Sequence, residues 1–139
     1  MKRNKNILDS GRYFQESHRF YKNAKMALKK APIKYNRYQD PKPVQEASGT
    51  GYLAVLKAID GFLLTAGLPA DKLPASIVEY QKALNKYSSK DGKLFSAFDT
   101  VYENLHILGY YRGGLNVEMI KAGFESARFI VEHLSGKKV

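Results

Sequence analysis

Glu103-Asn104-Leu105-His106 is a Glu-x-x-His step, which sets a carboxylate and an imidazole on one helix face, as in carboxylate-bridged di-iron bundles. Such bundles need a second copy of the step and two further inward glutamates. This chain has three histidines and no other Glu-x-x-His, so the expectation is no metal and no cofactor. His106 is then a half-buried helix residue hydrogen-bonded to a carboxylate or carbonyl. Asp60, a charge in an otherwise apolar stretch, is the partner it would take, because a buried charge needs one. Just downstream, Tyr110-Tyr111-Arg112-Gly113-Gly114 sets two phenols and a guanidinium beside flexible backbone. That combination can stack a base and hold a phosphate, or simply cap a helix end.

Charge supplies the third pattern. Twelve of the 23 Lys and Arg residues lie in the first 42 positions, against only Asp9, Glu16 and Asp40, so this segment carries net +9 of a total +10. Lys22, Lys25 and Lys29 fall on one face of a first helix. Lys30, Lys34, Arg37 and Lys42 follow through a segment that also holds Tyr35 and Tyr38. Basic groups interleaved with aromatics bind single-stranded nucleic acid or nucleotide by neutralising phosphate and stacking bases. The same face can instead dock an acidic protein partner, where charge mainly raises the association rate. There is no glycine-rich phosphate loop, metalloprotease motif or nucleophile elbow, and the absence of Cys excludes disulfides, thiolate metal sites and Cys nucleophiles.

These side chains need a scaffold, and 139 residues at 44% hydrophobic and 26% charged suffice for one folded domain with a single core. The expected organisation is one domain over 1–139, with 1–9 a flexible basic N-terminus. The start is basic, but Asp9, Ser10 and Arg12 arrive before any apolar run, and the most apolar stretch, 61–68, is far shorter than the roughly 18 residues of a membrane span. A cytoplasmic protein with no membrane partner is expected.

Asp9 or Ser10 caps a first helix with Phe14, Ser17, Tyr21, Ala24, Leu28 and Ala31 as its apolar stripe, ended by Pro32. A polar loop of about ten residues leads to Pro43, which opens a central second helix to about Ala66. One face of that helix is small, with Ala47, Gly51, Ala54, Ala58 and Gly61 at helical spacing. Ile77, Tyr80, Leu84 and Tyr87 mark a third helix. Leu94, Phe98, Val101, Leu105 and Leu108 mark a fourth, leaving at Gly109 to Gly114. Asn116 caps a fifth, carrying Val117, Ile120, Phe124, Ala127, Val131 and Leu134. The fold class is all-α: an antiparallel up-and-down bundle of five helices, or four if the third and fourth merge.

The stretch Gly51-Tyr52-Leu53-Ala54-Val55-Leu56-Lys57-Ala58-Ile59-Asp60 resembles the central helix of HEPN domains, and 105–134 resembles their penultimate helix, short connection and closing helix. HEPN domains are small bacterial helical bundles that serve as ribonuclease toxins or as nucleotide-binding partners of nucleotidyltransferases. The resemblance implies an Arg, four to six intervening residues and then a His near the junction before the closing helix. Here the junction reads His106-Ile107-Leu108-Gly109-Tyr110-Tyr111-Arg112, with the order reversed. Arg12 to His18 and Arg128 to His133 have the spacing, but the first pair lies on the first helix. The second pair is turned apart by about 140° on a helix, and Glu125 and Glu132 stand beside Arg128 at pairing distance.

The expected function is a non-catalytic interaction module that binds nucleic acid or nucleotide through Lys22, Lys25, Lys29, Lys34, Tyr35, Arg37 and Tyr38, together with Tyr110, Tyr111 and Arg112. A degenerate HEPN-type ribonuclease using His106 and Arg112 is the enzymatic alternative. A homodimer through the small face of the second helix or the apolar face of the fifth is the structural one.

Overall fold

The computed structural model describes residues 2–139, with side chains from Lys5 onward. The first helix, α1 (Lys2–Lys29), starts well before the expected cap. Ser10 is buried inside it and its hydroxyl donates to the Ile7 carbonyl at 2.8 Å, so it is a back-bonded interior residue rather than a cap. The Asn6 amide donates to the carbonyls of Leu64 and Leu68, which ties the opening turns to a second helix. The segment expected to be flexible is thus helical from Lys2 to Asp9, and Met1 lies outside the described residues.

A two-stranded hairpin replaces the expected loop: β1 (Ile33–Lys34) pairs antiparallel with β2 (Arg37–Tyr38), with Ile33 opposite Tyr38. Tyr35 and Asn36 between them both have positive φ, +54° and +58°, as a type I′ turn requires. The Gln39 amide clamps the turn by donating to the carbonyls of Lys34 and Arg37. Tyr38 is only 2% exposed and its N–H donates to the Leu115 carbonyl, so it is a core residue and not a stacking platform.

Helix α2 (Pro41–Thr65) begins two residues before Pro43, because Asp40 caps it by accepting from the Lys42 N–H. It is the central helix and runs antiparallel to α1. Phe14 of α1 packs against Gly61, where a Cβ would come within 2.7 Å of the ring, and the Ser17 hydroxyl donates to the Ala54 carbonyl at 2.7 Å. Gly51 in turn admits Phe124. The small-residue face is therefore filled within the chain and is not free for a second copy.

After a single 3₁₀ turn (Ala70–Lys72), α3 (Ile77–Tyr87) is capped by Ser76 and buries Tyr80 and Leu84. Helix α4 (Gly92–Val101) is capped by Asp91, whose other carboxylate oxygen meets His133 Nε2 at 2.8 Å. These bonds hold the Asp91 carboxyl below the usual range, the Leu94 N–H first and His133 next. The third and fourth helices stay separate.

Beyond Val101 the chain continues without a break into a π-helical segment, Tyr102–Tyr111, closed by an i→i−5 bond from the Arg112 N–H to the Ile107 carbonyl. Along it Leu105 fills the space left by Gly51 and Gly123, and Gly109 lies against Ser48. Helix α5 (Val117–Ser135) has Asn116 as its cap, as expected, and Gly136 at φ +74° ends it. Val117, Ile120, Phe124, Ala127 and Val131 are all buried, so the apolar face proposed for dimerisation forms the core instead. Among the described residues no helix is long and apolar enough to cross a membrane.

Candidate functional site

Helices α1 and α5 meet along Tyr21 and Phe124, whose rings pack edge-on with centroids 6.3 Å apart. Lys22 and Lys25 from α1 and Lys121 and Arg128 from α5 stand around this aromatic floor, lining a groove of about 460 Å³ in which Glu125 is the acidic side chain. Lys25 Nζ lies 5.4 Å from the centre of the Phe124 ring. Partial burial pulls the Lys25 ammonium below its ordinary pKa, and the nearby charges of Lys29, Lys121 and Arg128 pull it further, with Glu125 opposing. Mutually repelling cations held in place by two rigid helices form a site that an anion relieves. Arg128 keeps its expected ion pair with Glu132, at 3.3 Å, while serving the groove.

At the end of α1 the hairpin carries the remaining basic candidates. Lys34, Tyr35 and Arg37 are exposed, Tyr35 to 87%, and Lys34 Nζ lies 5.3 Å from the Tyr35 ring centre. Arg37 bridges to Asn116, which places the hairpin beside the exit of the π segment.

The Tyr110-Tyr111-Arg112 cluster splits in two. Arg112 lies over the Tyr111 ring, 5.8 Å away, and both are exposed. Tyr110 folds back onto α2 over Gly49, where a Cβ would come within 2.8 Å of the ring. It lines a second pocket, of about 440 Å³, walled by Glu46, Gly49, Tyr52 and Leu53 of α2 and by His106 and Tyr110 of the π segment. His106 lies amid three phenols. Tyr52 stacks on it at 4.5 Å, Tyr110 is near-parallel at 6.0 Å, and Tyr102 is tilted at 5.4 Å. Burial pushes the Tyr52 hydroxyl up to about 12.

His106 is therefore held by ring stacking and not by Asp60. The partner of Asp60 is Tyr80, whose hydroxyl donates to Asp60 Oδ1 at 2.9 Å. Nor do the spaced Arg/His pairs converge. His133 pairs with Asp91 while Arg128 pairs with Glu132, and His18 Nε2 meets the Ser135 hydroxyl at 2.9 Å while Arg12 is exposed. Among the described residues no three His, Asp or Glu side chains are grouped to hold a metal ion.

Residues 12–135 match a family described as a domain of unknown function, DUF5618. The chain belongs to that family. The DUF5618 match takes in the basic groove, the hairpin and the aromatic pocket, and leaves out only the opening turns of α1 and the last residues. A solved structure of a protein of unknown function from Dyadobacter fermentans is similar, with 29% identity and a TM-score of 0.76 over 91% of this chain and 97% of that one. No curated protein matches. The two chains thus share their fold over most of their length.

Sequence reasoning overlooked Lys121, Tyr52, Tyr102 and Glu46. One signal was present: Tyr102, His106 and Tyr110 recur every fourth residue, an aromatic row on one helix face. Nothing in the sequence pairs that row with α2, or Lys121 with Lys25.

Proposed function

We propose that this DUF5618 chain is a non-catalytic binding module that holds single-stranded nucleic acid along the α1–α5 groove and across the hairpin end. The observation that carries the reading is the convergence of Lys22, Lys25, Lys121 and Arg128 from two helices on one groove, where Glu125 is the acidic side chain among the described lining residues and Glu132 pairs with Arg128 from outside the lining. Phosphates laid there neutralise cations that the fold holds close together. The hairpin adds a ring for stacking. Tyr35 occupies a left-handed backbone position that glycine or asparagine takes at less cost, and its ring is almost wholly in water. An exposed aromatic kept in a strained turn beside Lys34 and Arg37 suits base stacking. A cytoplasmic setting, expected from the sequence, gives such a module access to RNA.

The HEPN-type ribonuclease reading needs His106 and Arg112 to act on one phosphate. His106 lines the aromatic pocket and Arg112 lies on Tyr111, outside its walls, so the two supply no acid-base pair.

Fluorescence anisotropy of labelled single-stranded RNA and duplex DNA, at low and physiological salt, tests the proposal. Binding of the single strand that weakens steeply with salt and is lost in Lys25→Glu/Lys121→Glu is expected. Absence of binding at either salt overturns it in favour of an acidic protein partner. Cleavage of the RNA that disappears in His106→Ala establishes the enzyme instead.

A further inference from the structure

The pocket between α2 and the π segment differs in chemistry from the basic groove, and we propose that it binds a planar aromatic ligand bearing an ammonium or amidinium group. A ten-residue π-helical segment is rare, since such turns occur mostly as single bulges and often at functional sites. This one delivers His106 and Tyr110 to the pocket with their rings near-parallel, 14° apart, while Tyr52 of α2 stacks on the imidazole at 4.5 Å. The volume, about 440 Å³, falls in the range of small-molecule sites. Leu53 and Tyr110, both about half exposed, form an apolar lip.

Charge selects the class of ligand. Among the described residues that line the pocket there is no Lys or Arg, and Glu46 supplies a carboxylate at its edge. Tyrosine faces carry the negative side of the ring quadrupole, so phenols and carboxylate together favour a cation and oppose an anion. The site is built rather than incidental. The Gln45 amide donates to the Tyr110 carbonyl at 3.3 Å, which fixes the π segment to α2, and Gly49 leaves the room that the Tyr110 ring occupies. A flat ring enters the pocket against the half-exposed Tyr110, with its cationic group towards Glu46.

The chain has no Trp, so the fluorescence anisotropy of an indole probe excited beyond tyrosine absorption reports the probe alone. Tryptamine, indole and indole-3-acetate share one ring and differ in charge. Saturable binding of tryptamine, roughly tenfold tighter than indole, with indole-3-acetate weakest, is expected. Glu46→Gln reduces tryptamine to the level of indole, Tyr110→Ala weakens both, and Lys25→Glu in the groove leaves tryptamine unaffected. Glu46 is exposed, so its substitution spares the fold, and circular dichroism of Tyr110→Ala checks that loss of the ring packed over Gly49 leaves the helices intact. Lack of saturation by tryptamine up to low millimolar concentration, indole-3-acetate binding as tightly, or no effect of Glu46→Gln overturns the proposal.

Discussion

The Tyr80 hydroxyl donates to Asp60 Oδ1 at 2.9 Å and so fastens α3 to the C-terminal part of α2. Burial pushes the Asp60 carboxyl up to about 6, although the Tyr80 hydrogen bond and Lys57 both favour its charged form. Because the folded value lies above the unfolded one, the protonated form is the one that favours folding. Asp60 therefore contributes stability fully below the ordinary carboxylate value, near pH 4, and that contribution is lost as pH rises through about 6. The shift bounds the effect at about 3 kcal/mol, and partial access to water reduces it. Asp60→Asn should be more stable than the parent at neutral pH by about 1 kcal/mol and should lose this advantage near pH 4, as measured by denaturant unfolding at several pH values.

Ser48 and Gly109 oppose one another where α2 meets the π segment. A Cβ on Gly109 would lie 2.6 Å from Ser48 Cβ and closer still to its hydroxyl oxygen, so Gly109→Ala should cost more than about 2 kcal/mol in unfolding free energy. Among the described residues the buried Ser48 hydroxyl has no hydrogen-bond partner. Ser48→Ala should raise stability by about 1 kcal/mol and soften the effect of Gly109→Ala, an interaction that a double-mutant cycle measures.

Tyr35 and Tyr38, three residues apart, have opposite roles. Tyr38→Ala should cost about 3 kcal/mol of stability, because its ring is buried in the core. Tyr35→Gly should instead gain up to about 1 kcal/mol by relieving the left-handed turn, while weakening binding to single-stranded RNA. Thermal unfolding and anisotropy on the same two variants separate the roles.

Each groove cation should register in the salt dependence of nucleic-acid binding. Lys25→Gln or Lys121→Gln should lower the slope of log affinity against log salt by about 1. Lys90→Gln, an exposed cation outside the groove lining, should leave it unchanged.

The helices were legible because their evidence is local. The stripe Val117, Ile120, Phe124, Ala127, Val131 is both a sequence period and the buried face of α5, and the cap at Asn116 is a bond between residues three apart. Where a local signal misled, a tertiary contact had overridden it. Ser10 has the chemistry of a cap, but Asn6 anchors the preceding turns to α2, so the helix extends past it. Tyr38 has the composition of a binding loop, but a hairpin turn directs it into the core.

The amino-acid sequence alone therefore determined the mainly helical class and the concentration of positive charge at one end, since these follow from periodicity and composition, while the structure decided that the third and fourth helices stay separate. Tertiary structure decided which of those charges work together. Lys25 meets Lys121 across an antiparallel helix pair nearly a hundred residues apart in the chain. It likewise decided that His106 stacks on Tyr52, because the packing of Gly109 on Ser48, Leu105 on Gly51 and Tyr110 on Gly49 brings the π segment and α2 together. A helix face is a property of neighbouring residues, whereas a groove or pocket depends on the distance between helices, which side-chain packing sets.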